Sequence, residues 1–131
     1  MKKLKSALIT LGVIMAISGQ AQTVWQGSAT LIIKPEKLQE FKKAVSKIIE
    51  PTRQEEGCIT YYGYQVIDET GKETNRFEFH EIWKTKEAML VDHKEKSAHM
   101  QAFFKEIKAD TKDSYLESFE VKGQTVQIIN Q

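Results

Sequence analysis

The sequence predicts an α+β domain with elements in the order β-α-β-β-α-β, its strands forming one antiparallel sheet. Three observations lead there. Apolar residues recur at helical spacing in two separate stretches, Leu38 to Ile49 and Met100 to Ile107. Runs rich in Val, Ile, Thr, Tyr, Phe and Trp flank those stretches. Two of the runs are joined by a short polar segment bearing a glycine, which makes them a hairpin.

Residues 1–21 stand apart from this pattern. Lys2, Lys3 and Lys5 precede an apolar run, Ala7 to Ile17, that is too short to span a bilayer. "SGQA" follows, with Gly19 and Ala21 at the −3 and −1 positions of a cleavage site. The segment reads as a signal peptide cut after Ala21, with an uncleaved N-terminal anchor as the alternative. The expectation is a periplasmic or secreted protein of residues 22–131, with no membrane contact after cleavage. Removing residues 1–21 takes away three lysines and no acid, leaving 16 basic against 18 acidic residues, a formal charge of −2. That balance argues against a nucleic-acid partner, which wants a basic face. The remaining length suits one domain whose surface a partner subunit would help to cover.

"VWQGSATLII" (Val24 to Ile33) reads as the first strand. "KPEKLQEFKKAVSKII" follows, with Pro35 in the first helical turn and Leu38, Phe41, Val45, Ile48 and Ile49 on one face. Pro51 bends or restarts this helix, and Gly57 ends it. "CITYYGYQVID" (Cys58 to Asp68) is the second strand, "ETGKET" the turn, and "NRFEFHEIW" (Asn75 to Trp83) the third strand. A helical region spans about Thr85 to Asp110, divided at Ser97, a plausible N-cap. "SYLESFEV" (Ser114 to Val121) is the fourth strand, and "TVQII" (Thr125 to Ile129) a short edge or exchange strand. This is the ferredoxin-like arrangement. Strands two and three carry large apolar side chains on both parities, so the sheet wants a second cover, and another copy of the chain supplies one. The single cysteine, Cys58, reads as a small buried hydrophobe and cannot form an intramolecular disulfide.

Glu81 draws notice because it shares its parity with Phe77, Phe79 and Trp83. It is either a pocket carboxylate that handles a proton or a strand-end group held by a structural partner; an unpaired buried carboxylate is costly in both cases. Trp83 is either a flat wall for an aromatic ligand or core filling. His93, with Met89 and Leu90 one turn earlier, either faces the same cavity as a proton carrier or is structural. His99 and Met100 start the last helix, and His80 lies on the opposite parity from Trp83. The three histidines make no local metal motif such as H-E-x-x-H, and no metal is expected.

"EEGCITYYGYQ", "FEFHEIW", the histidine after that strand and "SAHMQAF" together resemble the antibiotic biosynthesis monooxygenase family over Val24 to Phe104. The resemblance implies a dimeric α/β-barrel of two ferredoxin-like sheets, with a pocket between each sheet and its helices. It also implies, for some members, oxidation of quinols and phenolic aromatics by O2 without metal or flavin cofactors. Other members isomerise sugar phosphates or degrade haem. The haem branch has an asparagine on strand one where alignment places Ser28, which speaks against that activity here. On this reading His93 or Glu81 is the base, and Trp83, Phe79, Tyr62, His99 and Met100 hold the substrate. The alternative is a non-enzymatic dimeric binder of a small apolar ligand.

Overall fold

A computed structural model describes residues 22–129. Four strands, β1 (Gln22–Ile33), β2 (Cys58–Ile67), β3 (Glu73–Trp83) and β4 (Leu116–Ile128), form one antiparallel sheet in the order β2-β3-β1-β4. The helices are α1 (Leu38–Ser46), α2 (Ile49–Arg53), a π-helical segment (Ala88–Lys96) and α3 (Ala98–Glu106). This is the predicted α+β, ferredoxin-like order. The segment expected to be a signal peptide, residues 1–21, lies outside the described residues.

The sheet has an inner and an outer face. Trp25, Gly27, Ala29 and Leu31 of β1 pair with Trp83, Glu81, Phe79 and Phe77 of β3, and these residues point to the helices. Phe41 of α1 packs against Phe77 with ring centroids 4.9 Å apart and against Phe103 of α3 at 6.1 Å. Ile33, Phe41, Trp83 and Ile107 are almost wholly withdrawn from water and form the centre of the core. Each such side chain gains roughly 1.5–3 kcal/mol from burial, and that drive fixes the strand register.

Three elements differ from the sequence expectation. The final strand is longer than predicted: "SYLESFEV" and "TVQII" belong to one strand that pairs with β1 from Gln22 to Ile33. Gly123 permits this continuity, because a Cβ there would sit 2.3 Å from Trp25 Cζ2. The first part of the second helical region is π-helical and not α-helical. Ser97 does separate it from α3 with an extended backbone, φ −70° and ψ 134°. Its hydroxyl donates back to the His93 carbonyl at 2.6 Å instead of capping α3.

The outer face is more polar than the parities of strands two and three implied. Tyr62, Tyr64 and Ile82 lie there with Ser28, Glu78, His80 and Lys122. The larger uncovered apolar surface is the inner face of β4. No helix reaches Phe119 and Val121, which are 59% and 44% exposed. They border a groove with Leu31, Phe104 and Leu116.

Candidate functional site

Between the sheet and the helices lies an apolar cavity of about 110 Å³. β1, β2 and β3 supply Ala29, Leu31, Tyr61, Phe79 and Glu81 to its lining. Met89 and His93 come from the π-helical segment, and Met100, Phe103 and Phe104 from α3. An α-helix brings residues i and i+4 onto one face, whereas a π-helix brings i and i+5 together. The wider turn therefore shapes how Met89 and His93 are presented.

Glu81 is 6% exposed. Its Oε1 accepts a hydrogen bond from Trp83 Nε1 at 2.8 Å. Burial outweighs this hydrogen bond and raises the carboxyl to about 7. Oε2 has no protein partner among the described residues. No fully buried side-chain oxygen or nitrogen there lacks one, so Oε2 keeps some access, and Glu81 lines the cavity.

His93 is 4% exposed. Its Nδ1 meets Glu55 Oε2 at 2.5 Å. Tyr61 packs edge-on at 5.7 Å, and the Trp83 ring lies 4.8 Å away. Burial, helped by His99, lowers its pKa to about 4, so the ring is neutral near pH 7. Nε2 likewise has no partner among the described residues and keeps some access, and His93 lines the cavity. One apolar chamber is thus lined by a carboxyl group and an imidazole, each with an atom that has no partner among the described residues.

Glu55 sits between α2 and β2, just before Gly57, whose φ of +92° turns the chain into the sheet. Burial first, then repulsion from Glu81 and Asp92, raises its carboxyl to about 7. His99 Nε2 lies 3.4 Å from the same Oε2 and 3.1 Å from Thr52 Oγ1. The donor atoms of Glu55, His93 and His99 fall within 4.8 Å of one another, a set able to hold a divalent metal. Hydrogen bonds already link His93 to Glu55 and His99 to Thr52, so the cluster is internally satisfied as a proton-sharing group.

Several residues named from sequence stand elsewhere. Phe79, Glu81, His93 and Met100 line the cavity. Trp83 does not: it is fully buried behind Glu81 and His93, and its indole N–H orients Glu81. His99 joins Glu55 and Thr52 beside the cavity and not in its wall. Tyr62 is on the wrong face, because strand alternation aims it outward against His80 at 5.4 Å; its neighbour Tyr61 is the residue turned inward. Ser28 pairs with His80 on the outer face, so the haem-type alignment places no polar strand-one residue at the cavity. Glu55 was missed as a site residue although it lies in the quoted "EEGC" segment; only the fold reveals its contact with a histidine 38 positions away.

A family model described as antibiotic biosynthesis monooxygenase matches residues 28–106. The chain belongs to that family. Solved antibiotic biosynthesis monooxygenase-like structures share its fold. A conserved protein from Methanosarcina mazei superposes with a TM-score of 0.63 at 26% identity, covering 79% of this chain and 92% of that one. A Shewanella oneidensis protein gives 0.63 at 22% identity, covering 84% and 98%. A protein titled antibiotic biosynthesis monooxygenase gives 0.56 at 23% identity, covering 82% and 98%. An uncharacterised Synechocystis protein is 44% identical over 57 residues, which span 44% of this chain and 36% of that protein.

Proposed function

We propose that this member of the family is an exported, homodimeric monooxygenase that oxidises a small quinol-like or phenolic aromatic with O2, needing neither metal nor flavin. The observation that carries the reading is that His93 and Glu81 line the same apolar cavity, each with one polar atom that has no partner among the described residues. Their surroundings push the two groups apart, His93 down to about 4 and Glu81 up to about 7. Such a divergence assigns acid and base roles. Neutral His93 accepts a phenolic proton. Protonated Glu81 donates a hydrogen bond to a substrate oxygen.

The electron-rich phenolate then passes one electron to O2, and the radical pair joins at a ring carbon bearing hydrogen. Loss of water converts that carbon to a carbonyl: one oxygen atom stays on carbon and the other leaves as water. All four electrons that reduce O2 come from the substrate, whose C–H carbon is oxidised to a carbonyl while its phenolic carbon is oxidised to the other quinone carbonyl, so no external reductant enters. The apolar lining keeps bulk water from the peroxide. A cavity of about 110 Å³, smaller than the apolar cavity of about 150 Å³ that accepts benzene, limits the substrate to no more than one aromatic ring inside it.

Oxygen uptake by the purified protein against a panel of monocyclic and bicyclic quinols, with and without chelator, tests the reading. Chelator-insensitive uptake with single-ring quinols is expected. No uptake, alongside tight binding of the same compounds, favours the non-enzymatic binder. Export is tested by the N-terminus of the native protein, expected at Gln22 in mass spectrometry; a cytoplasmic protein retaining Met1 refutes it.

A further inference from the structure

We propose that Glu55 is the positioning residue of this site: one proton shared with His93 decides whether Nε2 meets the cavity as an acceptor or as a donor. The inference rests on the reading of His93 as the base and adds what controls it.

The geometry leaves few arrangements. Glu55 Oε2 and His93 Nδ1 are in direct hydrogen-bond contact, and His99 Nε2 stands 3.4 Å from the same oxygen. An ionised carboxylate only accepts hydrogen bonds, and a neutral imidazole carries a single N–H. With Glu55 ionised, that hydrogen must sit on Nδ1, and Nε2 keeps its lone pair. Now let the pair take up one proton. If it goes to Glu55, the acid donates to Nδ1 and the ring hydrogen moves to Nε2. If it goes to the ring, both nitrogens carry hydrogen. In either arrangement Nε2 has become a donor and is no longer a base. The outcome does not depend on which partner holds the proton.

The surroundings tune where this happens. Glu81 of β3 and Asp92 of the π-helical segment face the pair with like charge for Glu55, and burial adds to them. Cys58 and Tyr61 of β2 are neutral near pH 7, because burial raises both. His99 of α3 approaches from the more open side. Arg53 of α2 is the nearby cation, but its guanidinium is committed to the Tyr61 carbonyl at 3.0 Å and to Glu50 at 2.8 Å. Lys94 borders the cavity itself. Among the described residues Glu55 therefore has no lysine or arginine partner, and its proton leaves near pH 7.

Nitrogen-15 NMR of the imidazole rings tests this without any substrate, since the chain has only three histidines. In the wild type at about pH 8, His93 should show a protonated Nδ1 and an unprotonated Nε2. At about pH 6, Nε2 should be protonated, with the step centred near 7. Glu55→Ala should abolish the step and leave hydrogen on Nε2 at both values; Glu55→Asp should restore it. If Glu55→Ala does not fold, the wild-type pH series decides alone. A wild-type His93 with hydrogen on Nε2 at about pH 8, or a step that survives in Glu55→Ala, overturns the proposal. So does stoichiometric capture of Zn²⁺ by the wild type that Glu55→Ala loses, because the cluster is then a metal site. Failure of the oxidation reading has a different signature: a His93 that switches as described in a protein that consumes no oxygen.

Discussion

Trp83 donates its indole N–H to Glu81 Oε1 at 2.8 Å, two residues back on the same face of β3. The strand's period of two makes this contact possible, and it fixes which carboxyl oxygen remains for the cavity. The tryptophan thus acts behind the site, holding the acid.

Glu81→Gln should separate stability from turnover. The folded protein holds the Glu81 carboxyl at about 7, against an ordinary value of 4.5. The folded state therefore binds this proton more tightly than the unfolded chain. The associated stability is present below about pH 4.5 and lost as pH rises through 7. Glutamine carries no such charge and can still accept from Trp83. At pH 8 the variant should be more stable than the wild type, by roughly 3 kcal/mol at most, with the gap closing toward pH 4.5. Turnover should fall about tenfold or more. Thermal melts across pH, read beside oxygen uptake, check both.

His93→Gln should lower kcat about a hundredfold, the usual scale for losing a general base. This histidine also carries stability, because the ring is buried against Trp83 and Tyr61 and pairs with Glu55. Glutamine keeps a donor for Glu55 but loses the ring contacts. A drop of about 1–3 kcal/mol in chemical denaturation is expected.

Gly63→Ala should damage the cavity from across the strands. A Cβ at Gly63 would lie 2.6 Å from two Phe79 ring carbons. The ring would have to move, and it is part of the cavity wall. A loss of about 1–3 kcal/mol is expected, with weaker binding of any single-ring ligand by calorimetry.

The homodimer predicts a light-scattering mass of about twice the chain at micromolar concentration. Phe119 and Val121 are the apolar residues a second copy would cover. Phe119→Lys should yield a monomer with an unchanged circular dichroism spectrum. A wild-type monomer refutes the assembly.

How much of this was legible in the sequence depended on which contacts were local. The strands and the first helix followed from periodicity, since each apolar row faces one core. Glu81 and His93 stood out because a titratable group inside or beside an apolar row needs an explanation. Glu55 did not, because it lies among charged neighbours in a turn and its partner is 38 residues distant. Tyr61 and Tyr62 were exchanged for a simple reason: adjacent tyrosines on a strand look alike until the parity of the pocket is known. The π-helical segment was invisible because its residues, "AMLVDHKEK", satisfy an α-helical reading equally well.

That segment lets the site keep its facing residues through a change of chain length. A π-turn is an α-turn with one residue too many. Excise one residue between Ala88 and His93 and the stretch can close as ordinary α-helix, with the histidine then four residues after Ala88 and still on the same face, since i and i+4 share a face in an α-helix as i and i+5 do in a π-helix. The sheet, α1 and α3 would have no reason to change. A one-residue deletion there therefore trades the π-turn for an α-turn and spares the base together with the scaffold.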